Sequence, residues 1–169
     1  SVENIEKILK DNQNDFFAEI ANDNSNGQIV LSGKIQDLEK LSNLLKEKKI
    51  KNIKLPVSAP FHCSLMSKAT EIMKEELVKL NFKKGNNPLI SNITADEIFN
   101  ADELKNLLVK QIENRVRWRE SVINMINKGV NQFIEIGPGK VLSGLVKRIN
   151  KTVQVSSINS IDEITQIKI

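Results

Sequence analysis

The sequence holds one cysteine, one histidine, one tryptophan and no tyrosine in 169 residues. A single cysteine excludes an internal disulfide framework, and one Cys with one His cannot build a common zinc site, which takes three or four such ligands. No metal centre is therefore expected, and no cofactor is expected either. Aromatics are only 4% of the chain, which leaves little on which bases of single-stranded nucleic acid could stack. No apolar run reaches the roughly 18–20 residues of a membrane helix, so a soluble protein without a membrane partner is expected. No charged start, apolar stretch and small-residue cleavage site marks a signal peptide. A bacterial cytoplasm is the default compartment, with an organelle as the alternative. An initiator Met is also missing: the chain opens at Ser1, directly before a helical pattern. It is expected to be processed or to be a piece of something longer.

What is present supports a folded domain. The chain is 40% apolar and 27% charged, with a net charge of +4, enough for one domain, or one domain and a small appendage, with a real core. The mild positive excess fits phosphates or an acidic protein and does not demand nucleic acid. Lys46, Lys48, Lys49, Lys51 and Lys54 form a local basic run in which Glu47 is the only acid. It reads either as a dock for an acidic partner or as a solvated helix end, where the helix dipole also favours lysine.

Hydrophobic spacing predicts helices over residues 2–10, 35–47, 64–80, 101–113, 116–127 and 140–149. Strands are expected over 16–21, 28–33, 52–58, 88–94, 130–137 and 152–158, and the tail after them has a helical pattern. NDNSNG, residues 22–27, has the composition of a turn. The first part reads helix, strand, strand, helix, strand, which is a ferredoxin-like βαββαβ unit lacking its first strand. The alternation in the second part implies a parallel sheet covered by helices.

His62 is the one candidate general base. It stands between a strand and a long helix, a place where α/β proteins often put catalytic groups, and imidazole is the side chain that changes charge near neutrality. An ordinary hydrogen-bonded histidine at a helix start is the alternative. Cys63 beside it is expected to be buried, since neighbours in an extended segment face opposite ways and cannot form a nucleophile–base pair. Gly137-Pro138-Gly139, between a strand and a helix, could turn backbone N–H groups toward a phosphate or oxyanion, or could be a tight turn and nothing more. There is no GxSxG nucleophile elbow.

Four ordered stretches carry a resemblance. Residues 55–66, LPVSAPFHCSLM, resemble the histidine motif of malonyl-CoA:acyl carrier protein transacylases. Residues 20–33, IANDNSNGQIVLSG, are similar to their ANxNSxxQxVxSG segment. Residues 108–118, LVKQIENRVRW, are similar to LxxQxxxPVxW, with Arg115 where Pro is usual. Residues 134–149, IEIGPGKVLSGLVKRI, resemble ExGPGxxLxGLxKR.

The resemblance implies a two-step, ping-pong transfer of malonyl in fatty acid biosynthesis. A serine of a GHSxGE elbow takes malonyl from malonyl-CoA and passes it to the phosphopantetheine thiol of an acyl carrier protein. His62 matches the histidine that accepts and returns the serine proton. Gln111 matches the residue whose backbone carbonyl orients that histidine. Asn24 matches an asparagine near the substrate channel, and Phe61 matches the Phe of a Phe-His pair associated with malonyl over methylmalonyl. The implied fold is a ferredoxin-like small subdomain over residues 1–57 and the C-terminal part of an α/β-hydrolase-like large subdomain over residues 58–169.

The departures matter as much. The GHSxGE serine, the arginine that would hold the malonyl carboxylate and the glutamine that would complete the oxyanion hole are absent from these residues. The expected object is a C-terminal half that supplies the base without the nucleophile, inactive alone. It should have the missing N-terminal half as a partner, and be marginally stable or self-associating without it. A non-catalytic carrier-binding module and a piece of a polyketide synthase acyltransferase are the alternatives.

Overall fold

The computed structural model describes residues 1–165. Helix α1 (Val2–Asp11) leads to β1 (Ala18–Ser25), β2 (Gln28–Gly33) and α2 (Ile35–Glu47). Strands β1 and β2 form an antiparallel hairpin, pairing Ala18 with Gly33 at the base and Ser25 with Gln28 at the tip. Val2, Ile5, Ile8, Phe16, Ile20, Leu41 and Leu45 close one core between the two helices and the hairpin. Gly33 is there because the chain passes close: a Cβ would lie 2.6 Å from the Phe17 carbonyl oxygen.

The turn expected over residues 22–27 shrinks to Asn26-Gly27, with Gly27 at φ +81°. Asn-Gly suits a two-residue hairpin turn. The polar residues before it stay in the strand because tertiary partners hold them: Asp23 and Ser25 are buried, and Asn22 bridges to Val116. The strand expected at 52–58 does not form. Among the described residues no neighbouring strand offers it a ladder, and Pro56 has no N–H to donate.

The second part begins with a 3₁₀ turn (Ser64–Met66) that runs into α3 (Ser67–Val78). The strand expected over 88–94 is reduced to β3 (Leu89–Ile90), paired antiparallel with β4 (Glu97–Ile98). Helix α4 (Ala101–Lys110) begins at Asn100, whose side chain accepts from the N–H groups of Asp102 and Glu103. Helix α5 (Trp118–Asn127) starts two residues later than expected. The reason is that residues before it are drawn to the hairpin: Val116 N–H donates to the Ala21 carbonyl, and Asp23 N–H to the Val116 carbonyl.

The last elements are β5 (Gln132–Ile136), α6 (Val141–Ile149), β6 (Gln154–Ile158) and α7 (Ile161–Ile164). Strands β5 and β6 are parallel, as a strand–helix–strand crossover requires. Val122, Val146 and Val153 centre a second core, against which Trp118, Phe133 and Ile149 pack. The fold is thus mixed α/β. Among the described residues β5 has a single strand neighbour, and Ile136 and Val141 beside it are 78% and 72% exposed. No helix among the described residues is long and apolar enough to cross a membrane.

Candidate active site

His62 has φ +57°, a left-handed backbone that non-glycine residues adopt at a cost. The next two residues hold it there. Cys63 is fully buried and its carbonyl accepts from Met66 N–H. Ser64 is fixed by Glu19 of β1, whose carboxylate accepts from Ser64 N–H at 2.7 Å and from Ser64 Oγ at 3.1 Å. The hairpin of the first unit therefore pins the turn that presents the histidine.

Nδ1 of His62 lies 2.7 Å from the backbone carbonyl oxygen of Gln111, 49 residues away in the chain. A carbonyl only accepts, so Nδ1 carries a proton, and in the neutral ring the lone pair is on Nε2. Helix α4 was expected to run to residue 113 but stops at Lys110. The Gln111 carbonyl lies past the last turn, where helix carbonyls have no intrahelical partner. It also sits at the helix C-terminus, the negative end of the macrodipole, where a developing imidazolium is favoured. The arrangement can take a proton at Nε2 and spread the charge toward a carbonyl in the role a carboxylate plays elsewhere.

The other two candidate residues stand apart from this contact. Asn24 is half-buried on β1 between buried Asp23 and Ser25 and shares no hydrogen bond with His62. Phe61 immediately precedes His62, with its side chain 48% exposed.

Cys63 does not pair with His62. Burial pushes its thiol up from the ordinary range, and the nearby Glu19 carboxylate adds to this. A thiol reagent at mildly alkaline pH is expected to label the folded chain about 100-fold more slowly than the chain in denaturant, because labelling waits for local opening. With one cysteine in the sequence, the rate reads this site alone; equal rates would place Cys63 at the surface.

Gly137-Pro138-Gly139 is a closed turn. Gly137 N–H donates to the Ile158 carbonyl and Gly139 N–H to Asn159 Oδ1 at 2.7 Å. Two N–H groups in the first turn of α6, those of Leu142 and Ser143, are taken by the Glu135 carboxylate. Hydrogen bonds from Ser143 hold that carboxyl below the usual glutamate range. These donors face the protein's own acceptors, so the phosphate reading is replaced by the tight turn.

Charge also joins the two parts of the chain. Asp23 is 1% exposed and is held by Arg119 of α5, with Nε at 2.9 Å and a terminal nitrogen at 2.7 Å. The carboxylate keeps the Arg119 guanidinium more firmly protonated than usual. Sequence reasoning did not single out Glu19 or Arg119. Both look like ordinary solvent-facing charges, and only their distant partners give them a role. Lys46, Lys48, Lys49, Lys51 and Lys54 are all exposed, and among the described residues none of them joins an ion pair.

No family model matches the chain. Curated relatives and solved structures do. The malonyl CoA-acyl carrier protein transacylase of Bacillus subtilis is 45% identical over 150 residues, covering 86% of this chain and 47% of that protein. Its Escherichia coli K12 counterpart is 39% identical over 139 residues, covering 82% and 45%. The chain is homologous to roughly half of a malonyl CoA-acyl carrier protein transacylase. In solved structures of such transacylases the likeness extends over nearly all of this chain. The acyl-carrier-protein-S-malonyltransferase of Bartonella henselae superposes with a TM-score of 0.93 at 38% identity, over 98% of this chain and 53% of that one. A transacylase–carrier complex, described as a type II polyketide synthase acyl-carrier protein with its malonyl-transacylase, gives a TM-score of 0.90 at 32% identity, over 97% and 53%. The chain thus spans about half the length of the transacylases it matches.

Proposed function

We propose that this chain is the base-bearing C-terminal half of a malonyl-CoA:acyl carrier protein transacylase of fatty acid biosynthesis, working in the cytoplasm without a cofactor of its own. Residues 1–57 are then an incomplete ferredoxin-like subdomain, and residues 58–169 the C-terminal part of the large α/β-hydrolase-like subdomain. The observation that carries the reading is the 2.7 Å contact between His62 Nδ1 and the Gln111 carbonyl. It leaves Nε2 bare for a serine hydroxyl supplied by the other half.

In the first step Nε2 takes the serine proton as the oxygen attacks the malonyl thioester. The C–S bond breaks and coenzyme A leaves as the thiol, with the proton returned from the imidazolium. In the second step the carrier's phosphopantetheine thiol attacks the malonyl ester and gives its proton to Nε2. The serine then departs and regains a proton. Phe61 and Asn24 would line the path of the acyl group, and the exposed lysines at the end of α2 and after it suit an acidic carrier protein. The apolar surface around Ile136 and Val141, and the open edge of β5, are what the N-terminal half would cover.

The test is malonyl transfer from malonyl-CoA to a carrier protein, with the chain alone and with the N-terminal half of a transacylase added. No transfer alone and transfer upon addition is expected. Activity of the chain alone would overturn the division of labour, and persistent inactivity of the reconstituted pair would overturn the reading.

A further inference from the structure

We infer that Asn92 is a positioning residue that holds the Gln111 carbonyl on His62; the inference rests on reading His62 as the base. A backbone carbonyl is common to all residues, so its use does not explain a glutamine side chain at this position. Asn92 supplies the explanation. Its Nδ2–H donates to Gln111 Oε1 at 3.1 Å. Gln111 is the residue just past α4, at a helix end, where peptide planes are least constrained because the ladder of hydrogen bonds has run out. A tether on its side chain restrains the same residue whose carbonyl meets the imidazole.

The tether is useful because its other end is fixed. Asn92 lies in the tight loop between β3 and β4. Buried Ser91 accepts at Oγ from Ile93 N–H at 3.1 Å, and its carbonyl accepts from Ala95 N–H at 2.8 Å. Helix α5 and the residue before it then grip the loop from outside. Arg117 donates to the carbonyls of Ile93 and Thr94, both at 3.1 Å, and Asn124 donates to that of Ala95 at 2.9 Å. The Asn92 carbonyl itself accepts from Arg117 N–H at 3.0 Å. The line of contacts therefore runs from α5 through the loop to Asn92, Gln111 and His62.

The sole histidine makes this measurable in the 169-residue chain. Nitrogen-15 NMR of the imidazole reads which ring nitrogen carries the proton. The unaltered chain is expected to hold it on Nδ1. Asn92→Leu and Gln111→Leu each remove the tether and keep the carbonyl, so each is expected to raise the fraction protonated at Nε2 several-fold. The double variant is expected to go no further, because both changes cut one contact. Asn92→Asp is expected to preserve the Nδ1 proton, since the Gln111 amide can rotate and donate to the carboxylate. Adding Gln111→Glu to Asn92→Asp sets two carboxylates against each other and is expected to lose it. If Asn92→Leu does not fold, that last pair decides. An unchanged tautomer in the leucine variants, or additive effects, would overturn the role of Asn92 alone. A proton on Nε2 in the unaltered chain would overturn the base assignment as well.

Discussion

Replacing Arg119 with alanine is expected to cost about 3–5 kcal/mol of folding stability, the range for removing one partner of a buried charge pair. Asp23 is 1% exposed, while the Arg119 side chain is 29% exposed. Water entering the space left by the guanidinium would reach part of the carboxylate, which favours the lower end of the range. The loss is still large against the roughly 5–15 kcal/mol that typically holds a domain together. It falls on a chain whose apolar face around Ile136 lies open. Urea titration followed by circular dichroism would read it. Asp23→Asn combined with Arg119→Met is expected to recover most of the loss, since no charge is then left buried and unpaired. A cost below about 1 kcal/mol for Arg119→Ala, typical of a surface pair, would mean that Asp23 reaches water without its partner.

In a reconstituted transacylase, His62→Asn is expected to lower kcat for malonyl transfer by about 10²–10⁴-fold, the usual worth of general acid–base catalysis. Asparagine is the informative replacement because it tolerates the left-handed backbone of His62. Loss of activity then reports loss of the base rather than collapse of the turn. Comparing kcat and KM separates the outcomes. A fall in kcat with KM unchanged fits proton transfer in both half-reactions, whereas a rise in KM alone would make His62 a binding residue.

Local features were the most legible part of the sequence. The amphipathic helices α1, α2 and α6 lie within a residue of where hydrophobic spacing puts them, and α3 and α4 fall inside their longer expected spans, because burial of one face is a local pattern. Features decided by distant partners were not. Asn22 to Ser25 look like a turn until Arg119 and Val116 hold them in a strand. Residues 52–58 look like a strand but find no ladder among the described residues. Gly137-Pro138-Gly139 resembles an anion cradle until Ile158 and Asn159 are seen to occupy its donors, and Glu135 those of the helix behind it. Composition and spacing single out His62 but say nothing of its contact with Gln111, which is 49 residues away; only the family likeness suggested it. Glu19 and Asn92 carried no signal, since their meaning lies wholly in which neighbour the fold gives them.

The backbone at His62 has an evolutionary consequence. A residue at φ +57° is one where glycine or asparagine would relieve strain that histidine bears. On the proposed reading, histidine stands here for its proton transfer rather than for the turn. In any lineage where the chain is released from its chemistry, drift at position 62 should run toward those two residues early, before the core decays. On that reading, a copy retaining His62 beside an intact core would carry the mark of continued selection for proton transfer.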